Sequence, residues 1–480
     1  MFLFKTIKQY HNQLVLDEVD CITVVEHYLK KIKGAQNLNA FIEVFDKESL
    51  QRARELDTRR KNGESLGPLH GVVVAIKDVI CYKDHEISAA SNILKGFTSL
   101  YNSTAVKKLL EADAIIIGNC NCDEFAMGST NENSCYGKVL NALDETKVPG
   151  GSSGGSAVAV QAGLCMLSLG SDTGGSVRQP ADFCGIIGFK PGYGRISRYG
   201  LIAYASSFDQ IGIFGNTIED VALAMEVITG EDEYDSTVSS KEISKFFNIP
   251  DPVKKPVVAY FKNALDHHSL DQEIKNQIYR LIEKMKKDGF TVEPLEFEWL
   301  EYVVPTYYVL TTAEASSNLS RYDGIRFGPS IASKKTDLTN FYTTTRSNGF
   351  GKEVKRRIML GTFVLSAGYY DAYFTKAQQV RRILCEQTKS IFKKYDALII
   401  PTVTSTAFNL DEISKDPIAM YLADIYTVYA NLVGIPGISV PLFKHSDGLP
   451  FGLQIMSNKC NELSLLRFSD LMLKNYKQYS

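Results

Sequence analysis

Apolar residues recur along the chain with two different spacings, and segments of the two kinds alternate. Residues 1–62 have the spacing of three to four residues that is typical of helices. Short apolar runs follow at residues 71–80 and 114–118, with a helix-like segment between them. Strands that alternate with helices form a sheet whose faces are covered by those helices. The pattern therefore predicts an α/β fold with a large mixed, mostly parallel central sheet and helices on both faces.

The pattern changes after residue 230, where a polar segment indicates an exposed connection and mostly helical sequence follows. Apolar runs typical of strands return close to the end of the chain. Because no proline-rich linker separates the two halves, we expect a single domain over residues 1–480. Its four regions are an N-terminal helical segment (1–65), a core with the catalytic residues (66–230), a largely helical excursion (231–400) and C-terminal strands with a helix (401–480).

Composition and charge narrow the classes of function. The 480 residues include 53 Lys and Arg against 55 Asp and Glu, a net charge of −2, so the chain lacks the basic excess that binding of nucleic-acid phosphates requires. Nine scattered cysteines predict reduced thiols in a cytoplasmic protein, and no metal site is expected. No apolar run reaches 18 residues, so no membrane segment is expected either.

Two segments rich in glycine and serine interrupt the apolar pattern. PGGSSGGS at 149–156 leads directly into small apolar residues, unlike a flexible linker, and SDTGGS at 171–176 precedes a helix start. Taken alone, each is more often a tight turn or a helix cap, and neither has the ending of a phosphate-binding loop. Glycines at a helix start let backbone N–H groups stabilise developing negative charge. This geometry suits acyl transfer, with Ser176 as the candidate nucleophile.

A serine nucleophile needs a base, and Lys77 is the better candidate. None of the seven histidines lies between residues 86 and 266, although a distant histidine could still fold into the site. Lys77 lies in an apolar strand, where burial lowers the pKa of an amine, and the side chain of Asp78 should point to the opposite face. A lysine in a strand is more often a solvated edge residue. The combination with the two turns favours catalysis, with Ser152 as a proton relay.

Lys77 in AIKD, Ser152 in the first turn and Ser176 in the second closely resemble the amidase-signature enzymes, and the resemblance spans nearly the whole chain. It implies a catalytic set of a serine, a second serine with a cis peptide bond, and a lysine. Ser176 is then the acyl-enzyme nucleophile, Ser152 the bridging serine and Lys77 the base. The resemblance also implies an oxyanion hole formed by the backbone amides of Thr173, Gly174, Gly175 and Ser176.

Within that family, residues 122–134, 314–328 and 349–373 look like the glutaminase components, or A subunits, of tRNA-dependent amidotransferases. Such enzymes convert Glu-tRNA(Gln), and in many bacteria Asp-tRNA(Asn), to the amidated form. The resemblance implies that this chain releases ammonia from glutamine, needs no cofactor itself and assembles with B and C subunits into a heterotrimer. The partner would use ATP and Mg, and aminoacyl-tRNA would bind mainly through the B subunit.

Glutamine is a zwitterion, so its pocket should offer a guanidinium to the carboxylate and an acid to the ammonium. The resemblance assigns these roles to Arg357 and Asp424, with Gly128 and Tyr307 near the substrate, while the remaining tyrosines are expected to pack. Two alternatives stay open. A stand-alone amidase of small or fatty acid amides would need neither charge, and a catalytically inert scaffold would not need an intact set of Lys77 and two serines.

Overall fold

A computed structural model describes residues 4–240, 254–330, 337–412 and 424–478. In these ranges eleven strands form one sheet. The strands are β1 Phe41–Val44, β2 Val73–Lys77, β3 Ile115–Cys120, β4 Leu167–Asp172, β5 Ile187–Lys190, β6 Gln210–Gly215, β7 Val258–Phe261, β8 Val292–Leu295, β9 Ala397–Pro401, β10 Gly437–Lys444 and β11 Pro450–Met456.

The same ranges contain fifteen α-helices. They are α1 Ile7–Val15, α2 Cys21–Gly34, α3 Asp46–Lys61, α4 Thr104–Glu111, α5 Gly154–Gln161, α6 Arg178–Cys184, α7 Ile218–Ile228, α8 Lys262–Leu265, α9 Gln272–Lys287, α10 Leu300–Asn318, α11 Leu338–Gly349, α12 Lys352–Val364, α13 Lys376–Ile391, α14 Val428–Val433 and α15 Glu462–Tyr476. Helices α5 and α6 pack on each other and on the central strands, and α7 packs with α4 and α15 in a second group that also contacts the sheet.

The strand order is β1-β3-β2-β4-β6-β5-β10-β11-β9-β7-β8. Four of the ten neighbouring pairs are parallel and six are antiparallel. The prediction of an α/β fold with a large mixed sheet is confirmed, but the prediction that the sheet is mostly parallel is wrong. Strand β6 inserts antiparallel between β4 and β5, and a short turn joins β10 to β11, which forces an antiparallel pair.

The N-terminal region differs from the prediction of continuous helix. Strand β1 separates α2 from α3 and pairs with β3 at one edge of the sheet. It has only four residues, too few for the period-two alternation to stand out from helical sequence. The predicted exposed connection after residue 230 lies partly outside the described residues. The sheet takes strands from all four predicted regions, and the single domain stays a prediction.

Strands β2 and β4 position the site. They are parallel neighbours, every residue in both is buried, and their carboxyl ends lie at the same edge of the sheet. Lys77 is the last residue of β2, and the second glycine turn follows directly after β4. Small residues at the start of α5 let the first turn approach closely, since a Cβ at Gly155 would collide with backbone oxygen atoms. The fold thus brings the lysine and both turns together.

Within the four described ranges, no helix is both long and apolar enough to cross a membrane.

Candidate active site

The Lys77 amine lies at the centre of a cluster of serine hydroxyls. Its Nζ donates to Ser152 Oγ at 2.7 Å and to the Oγ atoms of Ser153 and Ser171 at 2.9 Å each. The side chain is fully buried. Two of these three partners, Ser153 and Ser171, were not singled out from the sequence, because a run of serines does not show which of them points at the lysine.

Burial of the ammonium lowers the pKa of Lys77 to about 8, although nearby carboxylates such as Asp172 and Asp209 favour the charged form. The carboxylate of Asp78 faces another part of the molecule and accepts hydrogen bonds from Ser88 and Ala90. An appreciable fraction of the amine is therefore neutral near neutral pH. In that form it can accept a proton from the hydroxyl of Ser152.

The first turn is fixed from two sides. The peptide bond between Gly151 and Ser152 is cis. The carbonyl oxygen of Ser152 accepts the N–H of Asp123 at 3.0 Å, and the N–H of Gly151 donates to Gln179 Oε1 at 3.2 Å. A loop on one side and α6 on the other therefore hold the backbone that carries the Ser152 hydroxyl.

The second turn is held by the carboxylate of Asp172. It accepts the backbone N–H groups of Gly175 at 2.9 Å and Val177 at 3.1 Å, the two neighbours of Ser176. It also receives two hydrogen bonds from the fully buried guanidinium of Arg178, at 3.1 and 2.9 Å. Burial alone would raise the pKa of Asp172, but Arg178 outweighs it and the pKa is lowered to about 2. The carboxylate thus stays charged and fixes the backbone on both sides of Ser176.

The predicted oxyanion hole lies in this turn. The Gly175 N–H is already bound to Asp172, so a substrate oxygen would have to share or replace that bond. Thr427 Oγ1 donates to the carbonyl oxygen of Gly174 at 2.7 Å. Tyr307 lies so close that a Cβ at Gly174 would collide with its ring and hydroxyl. Glycine is therefore required at position 174 by close packing.

Thr173 connects the turn to a further buried carboxylate. Its hydroxyl donates to Asp209 Oδ1 at 2.7 Å, and Asp209 Oδ2 accepts the backbone N–H groups of Tyr204 at 2.9 Å and Ala205 at 3.0 Å. Burial raises the pKa of Asp209 to about 7, against the effect of these bonds. Asp209 therefore connects the second turn to the segment that carries Tyr204.

Three of the four predicted glutamine-binding residues lie around Tyr308, namely Tyr307, Arg357 and Asp424. Tyr308 donates its hydroxyl to Asp424 Oδ2 at 2.8 Å, and the Arg357 guanidinium carbon lies 5.3 Å from the centre of the Tyr308 ring. Arg357 Nη1 donates to the hydroxyl of Tyr204 at 2.8 Å. The prediction that the remaining tyrosines only pack is wrong for Tyr204 and Tyr308, whose hydroxyls bond to the two charged residues. Sequence position carries no signal that separates these two from the other tyrosines.

Arg357 and its neighbour Arg356 both bind Glu353 but differ in exposure. Arg357 is 4% exposed and its Nε donates to Glu353 Oε1 at 2.9 Å, whereas the side chain of Arg356 is 36% exposed. Arg357 therefore faces the tyrosine cluster, which consists of Tyr204, Tyr307 and Tyr308. Burial raises the pKa of Asp424 to about 7, although the Tyr308 hydrogen bond and Arg357 favour its charged form.

Gly128, the fourth predicted substrate residue, lies against Asp123. A Cβ at this position would collide with the carboxyl group of Asp123, whose N–H binds Ser152. Gly128 thus belongs to the loop that supports the first turn, and its closest contact is with Asp123 rather than with the tyrosine cluster.

The other residue types that could act in catalysis or bind a metal are histidine and cysteine. His70, His85 and His445 contact carboxylates that are not among the predicted site residues. Cys120 and Cys122 are buried, and burial raises the pKa of both thiols. Among the residues that the structure describes, no group of three or more His, Cys, Asp or Glu side chains could hold a metal ion.

Comparison with known proteins identifies the family of this chain. The family model described as Amidase matches residues 23–466. The chain belongs to the amidase family. Among curated amidase relatives, the A subunit of the glutamyl-tRNA(Gln) amidotransferase of Fusobacterium nucleatum subsp. nucleatum is 46% identical over 470 residues, which cover 98% of this chain and 96% of that protein. The corresponding protein of Koribacter versatilis is 48% identical over 446 residues, which cover 92% of each chain.

A solved amidase structure has the same fold over the whole chain. The crystal structure of the glutamyl-tRNA(Gln) amidotransferase A subunit from Thermotoga maritima aligns with a TM-score of 0.82 and 38% sequence identity. The alignment covers 100% of this chain and 97% of that chain.

Replacing Arg178 with methionine tests whether the amidase depends on the buried ion pair. We expect Arg178→Met to lower the free energy of unfolding by about 3–5 kcal/mol at pH 7, because it leaves the Asp172 carboxylate buried and uncompensated. The difference in free energy of unfolding between the variant and wild type should shrink as the pH falls from about 4 towards 2. Protonation of Asp172 in that range removes the stabilisation by the ion pair from wild type as well. Urea denaturation measures both effects.

The matched control is Arg382→Met, which removes a side chain that is 82% exposed. It should change the free energy of unfolding by less than about 1 kcal/mol. Equal losses in the two variants would contradict a special role for the buried pair.

Proposed function

We propose that this amidase is the glutaminase component, or A subunit, of a tRNA-dependent amidotransferase, which hydrolyses glutamine and supplies ammonia for the amidation of Glu-tRNA(Gln) or Asp-tRNA(Asn). The observation that carries the proposal is the cluster of Arg357, Tyr308 and Asp424, whose neighbour Tyr307 packs against Gly174 in the Ser176 turn. It offers opposite charges to a substrate that carries both an α-carboxylate and an α-ammonium. The names of the relatives support the same function.

The catalytic step uses the three residues that the amidase resemblance implies. Ser176 Oγ attacks the amide carbon of glutamine, and its proton passes through Ser152 to the neutral amine of Lys77. Backbone N–H groups of the second turn stabilise the negative oxygen of the tetrahedral intermediate. The amide nitrogen of the intermediate takes this proton back from Lys77 as the C–N bond breaks, and it leaves as ammonia. Water then cleaves the ester on Ser176 and releases glutamate.

Partners complete the reaction in this proposal. The net charge of −2 gives this chain no basic excess with which to hold tRNA. We therefore assign ATP, Mg and aminoacyl-tRNA to the partners, with tRNA bound mainly through the B subunit, while the C subunit completes the heterotrimer. No cofactor is assigned to this chain. We expect the chain to fold as a single domain and to act in the cytoplasm.

A stand-alone amidase of small or fatty acid amides is the alternative function. Such an enzyme would have no use for the opposite charges of Arg357 and Asp424, which do not pair with each other but with Glu353 and the Tyr308 hydroxyl. Their position next to the turn therefore favours an amino-acid substrate.

Ser176→Ala tests the function and the nucleophile together. Two further polypeptides should copurify with the tagged chain, and the assembly should amidate misacylated tRNA with ATP and glutamine. We expect Ser176→Ala to abolish amidation from glutamine but not from added ammonium, because only the nucleophilic oxygen is removed. The control Ser168→Ala removes another buried hydroxyl, which bonds to Ala75. Glutamine hydrolysis at the wild-type rate in the Ser176 variant would exclude Ser176 as the nucleophile.

Lys77→Arg tests whether the lysine acts as a base. We expect it to lower the rate of glutamine hydrolysis about 10²- to 10⁴-fold, nearly as much as Lys77→Ala, because a guanidinium stays protonated and cannot accept the proton. In wild type, kcat/KM should rise with pH through about 8, where the pKa of Lys77 lies. An arginine variant that keeps most of the activity would show that only the positive charge matters.

Arg357→Ala and Asp424→Ala test the pocket. Each change should weaken glutamine binding about ten- to a hundredfold, since a hydrogen bond to a charged group contributes about 1.5–3 kcal/mol. Calorimetry with the non-hydrolysing Ser176→Ala variant as background measures the Kd directly. Because the pKa of Asp424 is about 7, binding should also weaken as the pH falls through 7 and the carboxylate loses its charge.

The control for the pocket is Arg356→Ala, which removes a guanidinium from the next position of the same helix. It should leave the Kd for glutamine close to that of the background. If Arg356→Ala weakened binding as much as Arg357→Ala, the assignment of the carboxylate site to Arg357 would be withdrawn.

A further inference from the structure

Glu124 is a buried carboxylate to which neither the catalytic step nor the pocket assigns a role. It is 5% exposed and accepts hydrogen bonds from the hydroxyl of Ser91 and from the backbone N–H of Gly351. The two carboxylate oxygens lie 3.1 and 2.8 Å from the Gly351 nitrogen. Gly351 is 227 residues away in sequence and is the N-cap of α12.

Helix α12 has no side chain of its own to cap its first turn. The N-cap position is glycine, which carries no acceptor, and the third helical residue is Val354 where a capping box would have Glu or Gln. In a capping box that residue binds the N–H of the N-cap. Here Glu124 provides the same bond from a different loop at the positive end of the helix, and burial raises the pKa of its carboxyl group to about 7.

The contact is sterically tight as well as polar. The backbone of Gly351 has a φ of −69°, which any residue can adopt. A Cβ at this position would nevertheless collide with Glu124 Oε2. Glycine at position 351 thus leaves the room that the carboxylate occupies. The start of α12 therefore has one position relative to Glu124.

Position matters here because α12 carries Arg357. A helix rises about 1.5 Å per residue and is stiff over a few turns, so a shift at Gly351 moves Arg357 with it. Arg357 also binds Glu353 on the same helix, which fixes its side chain relative to the helix axis.

The loop that carries Glu124 also contacts the first turn, which carries Ser152. The residue before Glu124 is Asp123, whose N–H binds the carbonyl oxygen of Ser152 at 3.0 Å. The carboxylate of Asp123 accepts the N–H groups of Asn131 at 2.9 Å and Asn133 at 3.0 Å, which fix the loop. Two consecutive residues thus contact the Ser152 backbone and the start of α12.

We propose that Glu124 is a positioning residue that sets the separation between the catalytic serines and Arg357, and thereby the affinity for glutamine. The proposal rests on the proposed function, because it assigns Arg357 to the substrate carboxylate. Glu124 itself does not touch the substrate. Its effect is exerted through the start of α12.

The test compares variants of Glu124 and Gly351 in the full chain, purified with any subunits that accompany it. Glu124→Ala removes the cap, and Gly351→Ala displaces the intact carboxylate. We expect each to raise the KM for glutamine on the order of tenfold with little change in kcat, as expected when a substrate-binding group is displaced. Glu124→Gln keeps an acceptor oxygen of the same reach and should restore a KM near that of wild type.

The matched control is Asp271→Ala, which removes the side-chain cap of α9, a helix without site residues. It should lower the free energy of unfolding and leave the KM unchanged. The proposal is overturned if Asp271→Ala raises the KM equally, or if both Glu124→Ala and Gly351→Ala leave the KM unchanged. If Glu124→Ala does not fold, Gly351→Ala alone decides, because it keeps every charge.

A double variant separates this proposal from the function on which it rests. Once Arg357 is replaced by alanine, Glu124→Ala should cause no further rise in KM, and additive effects would overturn the positioning role alone. If Arg357→Ala by itself leaves the KM unchanged, the pocket assignment and the positioning role both fall.

Discussion

The burial of the Lys77 amine is the constraint on which the site depends. An ammonium without water is stabilised by a carboxylate in most proteins, but a direct carboxylate partner would keep the lysine charged and unable to accept a proton. Here the three hydrogen-bond acceptors are neutral hydroxyls. The carboxylate of Asp172, which lies near enough to influence the lysine, is occupied by Arg178 and by backbone N–H groups.

This constraint explains the form of the surrounding fold. Strand β2 must be buried over its whole length to keep water away from its last residue, and the parallel neighbour β4 delivers the second turn to the same edge. The chain needs glycine where the turns pack against Tyr307 and Thr427. Burial, strand direction and close packing therefore act together at one end of the two strands.

The sequence predicted these central features because each has a local signal. Each of these signals is short, because the apolar run of β2, the glycines of each turn and each helix start span about ten residues or fewer. Features that depend on distant pairing could not be predicted in this way. The direction of β6 and the existence of β1 follow from their partners in the sheet. The hydroxyls of Tyr204 and Tyr308 gain their roles only from residues distant in sequence, Arg357 and Asp424. Motif resemblance, rather than local physics, brought Arg357 and Asp424 into the prediction.

The aromatic ring of Tyr308 lies between two opposite charges, with Arg357 over its face and Asp424 on its hydroxyl. An arginine and an aspartate in direct contact would form an ion pair that an incoming molecule must first break. With the tyrosine between them, each charge keeps a partner of its own, since Asp424 accepts the Tyr308 hydroxyl and Arg357 binds Glu353 and the Tyr204 hydroxyl. The two opposite charges are therefore held apart around one ring, and a zwitterion can bind without first breaking an ion pair between them.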